Sequence, residues 1–437
     1  MPSIFDSIYL TASVMGAPYI LYKMLASERY RSGVYHRFGK ISERKSNKPG
    51  IWIHGASVGE VITAKSITEK IDREFPEWET FISTSTNTGY SVARQNFNNK
   101  DVFYFPIDLS WVTKKALCKY NPSYIFLIEL EIWPNFLASA YKKGIPIIIV
   151  NGRISDKSYR AYRTLSLISK RFYNSLTNKM NIYCARTEID AQRFRGLGIP
   201  DDRIFVTGTM KYDNIPTRIN EDIKKEYKNL FNISDSDIVL IGGSTHEGEE
   251  EILLRTYERL KNTYSNLRLI LAPRHVERTG DVSNLAKSMG FTPLLKTEIQ
   301  DSNHQWQDND KEVIIINTVG DLGRIYSISN FVYVGKSLVP LGGQNMMEPA
   351  GLGKPVIFGP HTFNFKEEVD LLLRNEAAKM VESENDLYKA IEYLIKDPEA
   401  AKVLGLKAQK IVNKERGATE RNMEIIRSML KSKLSKT

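Results

Sequence analysis

The chain is poor in cysteine, poor in histidine and without a long apolar run, and each shortage closes off a class of protein. Its 437 residues hold two cysteines, Cys118 and Cys184, which are far apart and form no ligand spacing. That argues against a disulfide framework or structural zinc and fits a reducing compartment. Of six histidines, four (His54, His246, His275 and His361) fall just after apolar runs, but none makes an HExxH or similar pattern, so they read as hydrogen-bonding groups. Two Asp-x-Asp matches, Asp235–Asp237 and Asp308–Asp310, precede apolar runs rather than follow them. They read as solvated loop charges, and no metal is expected. The uncharged stretch Ser7–Tyr22 spans sixteen residues and contains Pro18. A spanning helix needs ~20, and a proline would kink it. No basic segment precedes it and Asp6 stands there instead, which argues against a cleaved secretory signal.

What the chain does have is positive charge. The formal net charge is +10, which points to an anionic partner. No nucleic-acid motif accompanies it, so a membrane surface or a phosphorylated substrate is favoured and no nucleic acid is expected. Lys23, Arg29, Arg31, Arg37 and Lys40 follow the apolar N-terminal stretch. An apolar helix with a basic flank reads as an interfacial anchor facing anionic lipid, or else as a helix packed on the protein's own surface. Lys157 to Lys179 has six basic residues and no acid, interleaved with Tyr159, Tyr162, Phe172 and Tyr173. It suits an anionic surface and equally suits a solvated helix face.

From Gly50 the pattern is strand and helix in alternation. Apolar runs at Ile51–His54, Thr80–Ser83, Val102–Phe105, Tyr124–Ile128, Ile145–Val150 and Ile182–Cys184 predict a doubly wound α/β domain. Lys211 to about Ser234 is polar and reads as a linker. The pattern restarts at Ile238–Ile241, Leu267–Ala272, Val313–Ile316, Phe331–Val334 and Val356–Phe358, and the chain beyond Ser383 is largely helical. The expected organisation is residues 1–40 as a membrane-associating segment with an apolar helix, 41–210 as one Rossmann-like domain, 211–234 as linker and 235–437 as a second Rossmann-like domain. Two such domains would present the carboxyl ends of their strands to a central cleft, the expected ligand position in open α/β sheets.

The loops after these strands carry the candidate chemistry. Gly55-Ala-Ser-Val-Gly-Glu60 leads into a helix. Glu60 can serve as a general base if partial burial raises it from the ~4.3 of a free glutamate, while a first-turn glutamate also complements the helix dipole. Glu129 and Glu131 directly follow an apolar strand, a costly place for carboxylates unless they are paired or used. Lys211 can pair with one of them. In the second half, Ser244–Glu249, Ala272–His275 and Thr318–Asp321 each follow a strand, and Gly342-Gly343 runs into a short helix near Asn345. Arg274 is a natural phosphate partner, and Glu348 is placed for a ribose hydroxyl. A glycine turn opening a helix suits a phosphate, though such motifs are common by chance.

The segments WIHGASVGE, ELEIWPN, NGRIS, VTGTMKYD, STHEGEE, APRHVER and GGQNMMEP through GPHTFNF occur in this order between Trp52 and Phe365. Together they resemble the 3-deoxy-D-manno-oct-2-ulosonic acid (Kdo) transferases of lipopolysaccharide synthesis, which have the two-domain GT-B glycosyltransferase fold. The resemblance implies transfer of Kdo from CMP-Kdo to the lipid A precursor (lipid IVA) without cofactor or metal, at the cytoplasmic face of the inner membrane against anionic lipid. It assigns Glu60 as the base and puts Glu129 and Lys211 at the reacting centre. It implies CMP contacts from Pro273, Arg274, Val319, Gly320, Asp321, Asn345, Met346, Met347 and Glu348. Three positions depart from the usual pattern: Lys336 where a second glycine is common, Gln344 for a histidine, and Asn317 for an aspartate. The alternatives are another GT-B sugar-nucleotide enzyme, such as a UDP-sugar 2-epimerase, and a non-catalytic membrane-surface module. The N-terminal apolar segment and Trp133-Pro-Asn135 argue against the first, and the intact Glu60, Glu129, Lys211 and Arg274 against the second.

Overall fold

A computed structural model describes residues 3–11, 34–38, 44, 46–178, 181–300 and 311–434. They form two compact units, Met1–Asp213 with Arg416–Thr437, and Asn214–Glu415. Each unit is built on a seven-stranded, wholly parallel sheet with helices on both faces, as the alternating pattern predicts.

In the first unit the strands are β1 (Gly50–His54), β2 (Glu79–Thr84), β3 (Val102–Tyr104), β4 (Tyr124–Ile128), β5 (Ile147–Gly152), β6 (Ile182–Ala185) and β7 (Ile204–Val206), in the order β3-β2-β1-β4-β5-β6-β7. Trp52 of β1 lies beside Phe81 of β2 and Ile125 of β4 in register. Successive side chains of a strand face opposite ways. Trp52 accordingly joins one core layer while Ile51 and Ile53 join the other. Its ring packs 5.2 Å from both Phe103 and Phe136, and its Nε1 donates to the Ser83 hydroxyl at 2.7 Å, so the buried polar edge is satisfied.

The second unit has β8 (Ile238–Thr245), β9 (Leu267–Pro273), β10 (Thr292–Leu295), β11 (Glu312–Ile315), β12 (Phe331–Val334), β13 (Val356–Phe358) and β14 (Lys379–Met380), in the order β10-β11-β9-β8-β12-β13-β14. Strand order reverses direction between β1 and β4 in one sheet and between β8 and β12 in the other. Those switch points are where neighbouring loops part and leave a crevice beyond the carboxyl ends.

Several expectations need correction. The stretch 211–234 is not a simple linker. It holds a helix, Glu221–Leu230, capped by the Asn220 side chain, and buries Tyr227 and Phe231 within the second unit. The last helix, Ala418–Leu434, belongs to the first unit and not to the second, so the expected domain of 235–437 ends early. Met423, Ile426 and Leu430 lie on one helical face and are fully buried in the core layer of Ile51 and Val61. Asp213 accepts from Gly417 N at 2.6 Å and from Thr419 N at 2.5 Å at the start of this helix, and Arg427 forks onto Glu74. Asp237 is no solvated charge, because it forms a buried ion pair with Arg268 at 3.0 Å. The other Asp-x-Asp segment and Lys179 fall outside the described residues.

The N-terminal segment is only partly described. Residues 4–11 are helical, and they are fastened to the first unit. Phe5 is buried against Phe172, and the Asp6 carboxylate accepts from the Ser110 N and Oγ at 2.7 and 2.6 Å. Tyr9 donates to Asp108 at 3.1 Å. Residues 12–33, most of the expected anchor, lie outside the described residues. Among the described residues no helix is long and apolar enough to cross a membrane.

The placement of the last helix yields a stability prediction. Leu430→Ala should cost about 2–5 kcal/mol, the range for emptying a buried leucine site. Denaturant unfolding with a loss under about 1 kcal/mol at unchanged slope would show that this helix is not part of the first core.

Candidate functional site

In the first unit the turn after β1 folds back tightly. A Cβ on Gly55 would lie 2.9 Å from the Glu60 backbone, so no side chain fits there. The Ala56 carbonyl accepts from Thr84 Oγ1, Ser85 N and Thr86 N, which ties this turn to the end of β2. Ser57 then caps helix Val58–Glu74, and Glu60 occupies the third helical position. Ser57 Oγ donates to Glu60 Oε1 at 2.8 Å, and Ala56 N donates to Glu60 Oε2 at 2.7 Å. This is close to a capping box, with the carboxylate reaching one residue further back than usual. Burial raises the Glu60 carboxyl, and the neighbouring Glu131 and Glu129 charges raise it further. The two hydrogen bonds oppose this, and the net direction is up.

Glu129 directly follows β4 with φ of +61°, a strained conformation for a residue with a side chain. Its N–H still donates to Val150 O at 2.9 Å, so the sheet ladder holds while the chain turns sharply. Burial pushes the Glu131 carboxyl up, but His54 and the Trp133 donor more than offset this, and the net direction is down. Trp133 Nε1 donates to it at 2.9 Å, whereas His54 Nε2 stands 3.8 Å away, too long for a hydrogen bond. His54 itself is buried, stacked on Phe105 and bonded through Nδ1 to Ser83. Lys211 is exposed on a short 3-10 turn, Met210–Tyr212. That turn is held by Asn151, in the left-handed region at φ +56°, whose side chain accepts from Met210 N at 3.0 Å.

The sequence reading passed over two groups that fix these loops. Asn151 is one. The other is Asp108, a buried carboxylate that accepts from Asn135 N and Phe136 N at 3.0 and 2.7 Å and so opens the helix Pro134–Lys142. An acid and an amide each set just after an apolar run are the signals that would have found them.

In the second unit the β8 and β12 loops are joined by one buried side chain. Glu249 is fully buried and accepts five hydrogen bonds: from His246 N, Lys336 N, Ser337 N, Leu338 N and the Tyr333 hydroxyl, between 2.5 and 3.0 Å. No role for Glu249 was read from the sequence, although it sits in STHEGEE. Lys336 has φ of +61°, which explains why glycine is usual there: the backbone is left-handed and Lys336 bears strain that glycine would avoid. Gly343 N donates back to Lys336 O at 2.6 Å and closes the glycine turn.

The remaining candidate residues of this unit lie in the loops after β9, β11 and β12. Arg274 follows β9, its N–H on Thr245 O at 3.0 Å and its side chain exposed. Burial raises the Glu348 carboxyl, the Asn345 amide and the Arg274 charge oppose it, and the net direction is up. Asn345 bridges the turn, donating to Glu348 at 3.0 Å and accepting from Met347 N at 3.1 Å. Met346 and Met347 are buried. Val319 is exposed beside Gly320, while the Asp321 carboxylate takes Tyr227, Lys296 and Thr318 as donors and drops to about 2 despite its partial burial. Asn317 turns to Thr297, bonded at 2.7 Å. Pro273 ends β9 in the interior. Among the described residues no group of acidic, histidine or cysteine side chains is set to hold a metal.

The chain matches the family model described as 3-deoxy-D-manno-octulosonic-acid transferase (kdotransferase) over residues 32–214. It is 31% identical over 408 residues to the 3-deoxy-D-manno-octulosonic acid transferase of Haemophilus influenzae, covering 92% of this chain and 93% of that one. The Chlamydia pneumoniae protein of the same name is 28% identical, covering 98% and 96%. Among solved structures, a UDP-GlcNAc 2-epimerase from Neisseria meningitidis bound to UDP-GlcNAc matches with a TM-score of 0.55 at 15% identity, covering 87% of this chain and all of that one. At that identity the likeness is one of fold.

Glu249→Gln should cost at least about 1–3 kcal/mol, because an amide NH₂ would face backbone donors that now share a carboxylate. Thermal unfolding at a wild-type midpoint would mean that the loops after β8 and β12 do not depend on that carboxylate.

Proposed function

Since the chain belongs to the 3-deoxy-D-manno-octulosonic acid transferase family and is a glycosyltransferase, we propose that it moves Kdo from CMP-Kdo to the lipid A precursor with inversion, using Glu60 as general base. The observation that carries this reading is the state of Glu60. It is a half-buried carboxylate at the switch point of its sheet, raised by burial and by two neighbouring carboxylates. A raised glutamate is a stronger base than a free one.

In this reading the acceptor hydroxyl gives its proton to Glu60 as its oxygen bonds to the Kdo anomeric carbon. The bond from that carbon to the phosphate oxygen breaks on the opposite face, and CMP leaves as a phosphate monoester. Glu129 and Lys211 belong to the reacting centre. Arg274 takes phosphate charge, and backbone groups of Val319, Gly320, Met346 and Met347, together with Pro273, hold the nucleotide. Asn345 and Glu348 meet the ribose. Asp321, with three donors already on its carboxylate, acts by fixing its loop. The arginine is suited to this leaving group without a metal, because a monoester carries less charge to neutralise than a diphosphate. The acceptor is an acylated, phosphorylated disaccharide, so the enzyme works at the cytoplasmic face of the inner membrane against anionic lipid. The surplus of positive charge favours this.

Glu60→Gln keeps an oxygen to accept from Ala56 N but cannot take a proton. Turnover with CMP-Kdo and lipid IVA should fall by roughly 10²–10⁴ with little change in melting temperature. In the parent protein kcat/KM should rise with pH through a pKa above that of ordinary glutamate, since only the ionised form is a base, and this limb should vanish in the variant. Turnover within a few-fold of the parent would remove Glu60 from the role.

Arg274→Ala should weaken CMP binding by roughly 1.5–3 kcal/mol. Titration calorimetry with unchanged CMP affinity would put the nucleotide elsewhere. Turnover should also survive EDTA, and a loss restored by magnesium would overturn the metal-free reading.

A further inference from the structure

Three helices of the first unit surround a cavity of about 410 Å³ that the transfer reaction does not use. Helix Ser110–Tyr120 contributes Ser110, Trp111 and Lys114. The end of helix Pro134–Lys142 contributes Ser139, Lys142 and Lys143, and helix Lys170–Leu176 contributes Arg171. Four of the seven lining residues are cationic and none is acidic. No carboxylate among the described residues pairs with any of these four cations. Arg171 is half-buried, and its Nε is buried without an acceptor. A scatter of surface lysines would be solvated singly. Here four like charges converge from separate elements on one concavity, a costly arrangement unless an anion sits among them.

The surroundings are apolar and exposed. Trp111, on the cavity wall, is 50% exposed. Leu167 and Ile168, 83% and 63% exposed, end the helix just before Ser169 and the Lys170–Leu176 helix that carries Arg171. The helix over residues 4–11 is bonded through Asp6 to Ser110 of the cavity wall, and its Ile4 and Ile8 point outward, about half exposed. Indole and aliphatic side chains beside a basic pocket match the layering of a membrane interface, where apolar groups sit just below the phosphates.

We propose that this cavity binds the phosphate headgroup of an anionic membrane lipid and so seats the first unit on the bilayer. The site deepens the membrane reading of the proposed function and rests on it. Arg171 and Lys114, Lys142 and Lys143 coordinate the phosphate. Trp111, Leu167, Ile168 and the outward face of the N-terminal helix enter the acyl boundary around it.

The test is sedimentation of the full-length chain with vesicles of neutral phosphatidylcholine, with and without an anionic phosphatidylglycerol fraction. Removing two cations should lower the partition coefficient on anionic vesicles by roughly 30-fold, from ~1 kcal/mol per basic residue near the surface. Lys142→Ala with Lys143→Ala should show that loss. Lys157→Ala with Arg160→Ala, which removes the same charge from the neighbouring helix outside the cavity, should lose clearly less. Equal losses from the two pairs would reduce the effect to general surface charge and overturn the site. So would parent binding that is indifferent to phosphatidylglycerol. Inorganic phosphate at millimolar concentration should not displace the protein from vesicles. Full displacement would assign the cavity to a free anion instead. The Lys142/Lys143 variant should keep its melting temperature and its turnover on detergent-dispersed acceptor, and show a raised KM on acceptor carried in vesicles. The sedimentation arm needs no turnover, so a protein that transfers no Kdo yet shows these binding losses defeats the catalytic reading and upholds the lipid site.

Discussion

A parallel sheet must return every strand through a crossover that covers one of its faces, and this constraint places the chemistry of both units. With both faces buried, as the unbroken burial of β1, β4, β9 and β12 shows, polar work is confined to the strand ends. Only at a switch in strand order do two adjacent loops diverge enough to leave room. The chain puts Glu60 and Glu129 on the two sides of one switch, β1 and β4. It puts Ser244–Glu249 and the glycine turn after Gly335 on the two sides of the other, β8 and β12. Arg274 and the loop of Thr318–Asp321 follow β9 and β11, the next strands outward.

Loops at such edges have lost their sheet partners, and buried carboxylates replace them. Glu249 supplies acceptors for four backbone N–H groups and a tyrosine hydroxyl, and with them fixes the approach to the glycine turn. Asp108 does the same for the start of the helix after Trp133, and the half-buried Asp213 for the start of the C-terminal helix. None has a cationic partner in these contacts. The converging N–H groups satisfy these side chains without a salt bridge, although at Asp108 burial still prevails and raises the carboxyl to about 7.

The central strands were legible because burial on both faces writes an unbroken apolar run, and Tyr124–Ile128 and Phe331–Val334 match to the residue. The strands that escaped were those without such a run. Phe205 and Val206 of β7 are about 40% exposed, β14 is two exposed residues, and β10 is only half-buried. Residues 211–234 read as a linker because the helix within them turns a mostly polar surface outward around one buried tyrosine. The return of the last helix to the first unit had no local signal at all. Its apolar spacing shows that it packs, and only tertiary contact shows against which core. The same limit governed the N-terminus, where Asp6 is visible in sequence only as an acid standing in place of a basic segment. That charged residue, bonded to Ser110 and Asn135, fastens the segment to the protein. Removal of the segment would therefore strip bonds from the first unit as well as any membrane contact.

Glu60 shows how far a structural and a chemical role can share one side chain. Its hydrogen bonds to Ser57 and Ala56 are those of a helix-capping glutamate, and on their own they would lower its pKa and make it a poorer base. A cap of this kind on an open surface would behave so. Here burial and the repulsion from Glu131 and Glu129 act against the cap and prevail. The geometry thus separates the two functions that a carboxylate can serve. The cap fixes where the oxygens point, and the surroundings fix how strongly they hold a proton. A base that must stay ionised near neutrality, yet accept a proton from a hydroxyl, needs both. The strained φ of Glu129 fits the same balance, because the turn that brings this carboxylate to the end of β4 puts its charge where it raises Glu60.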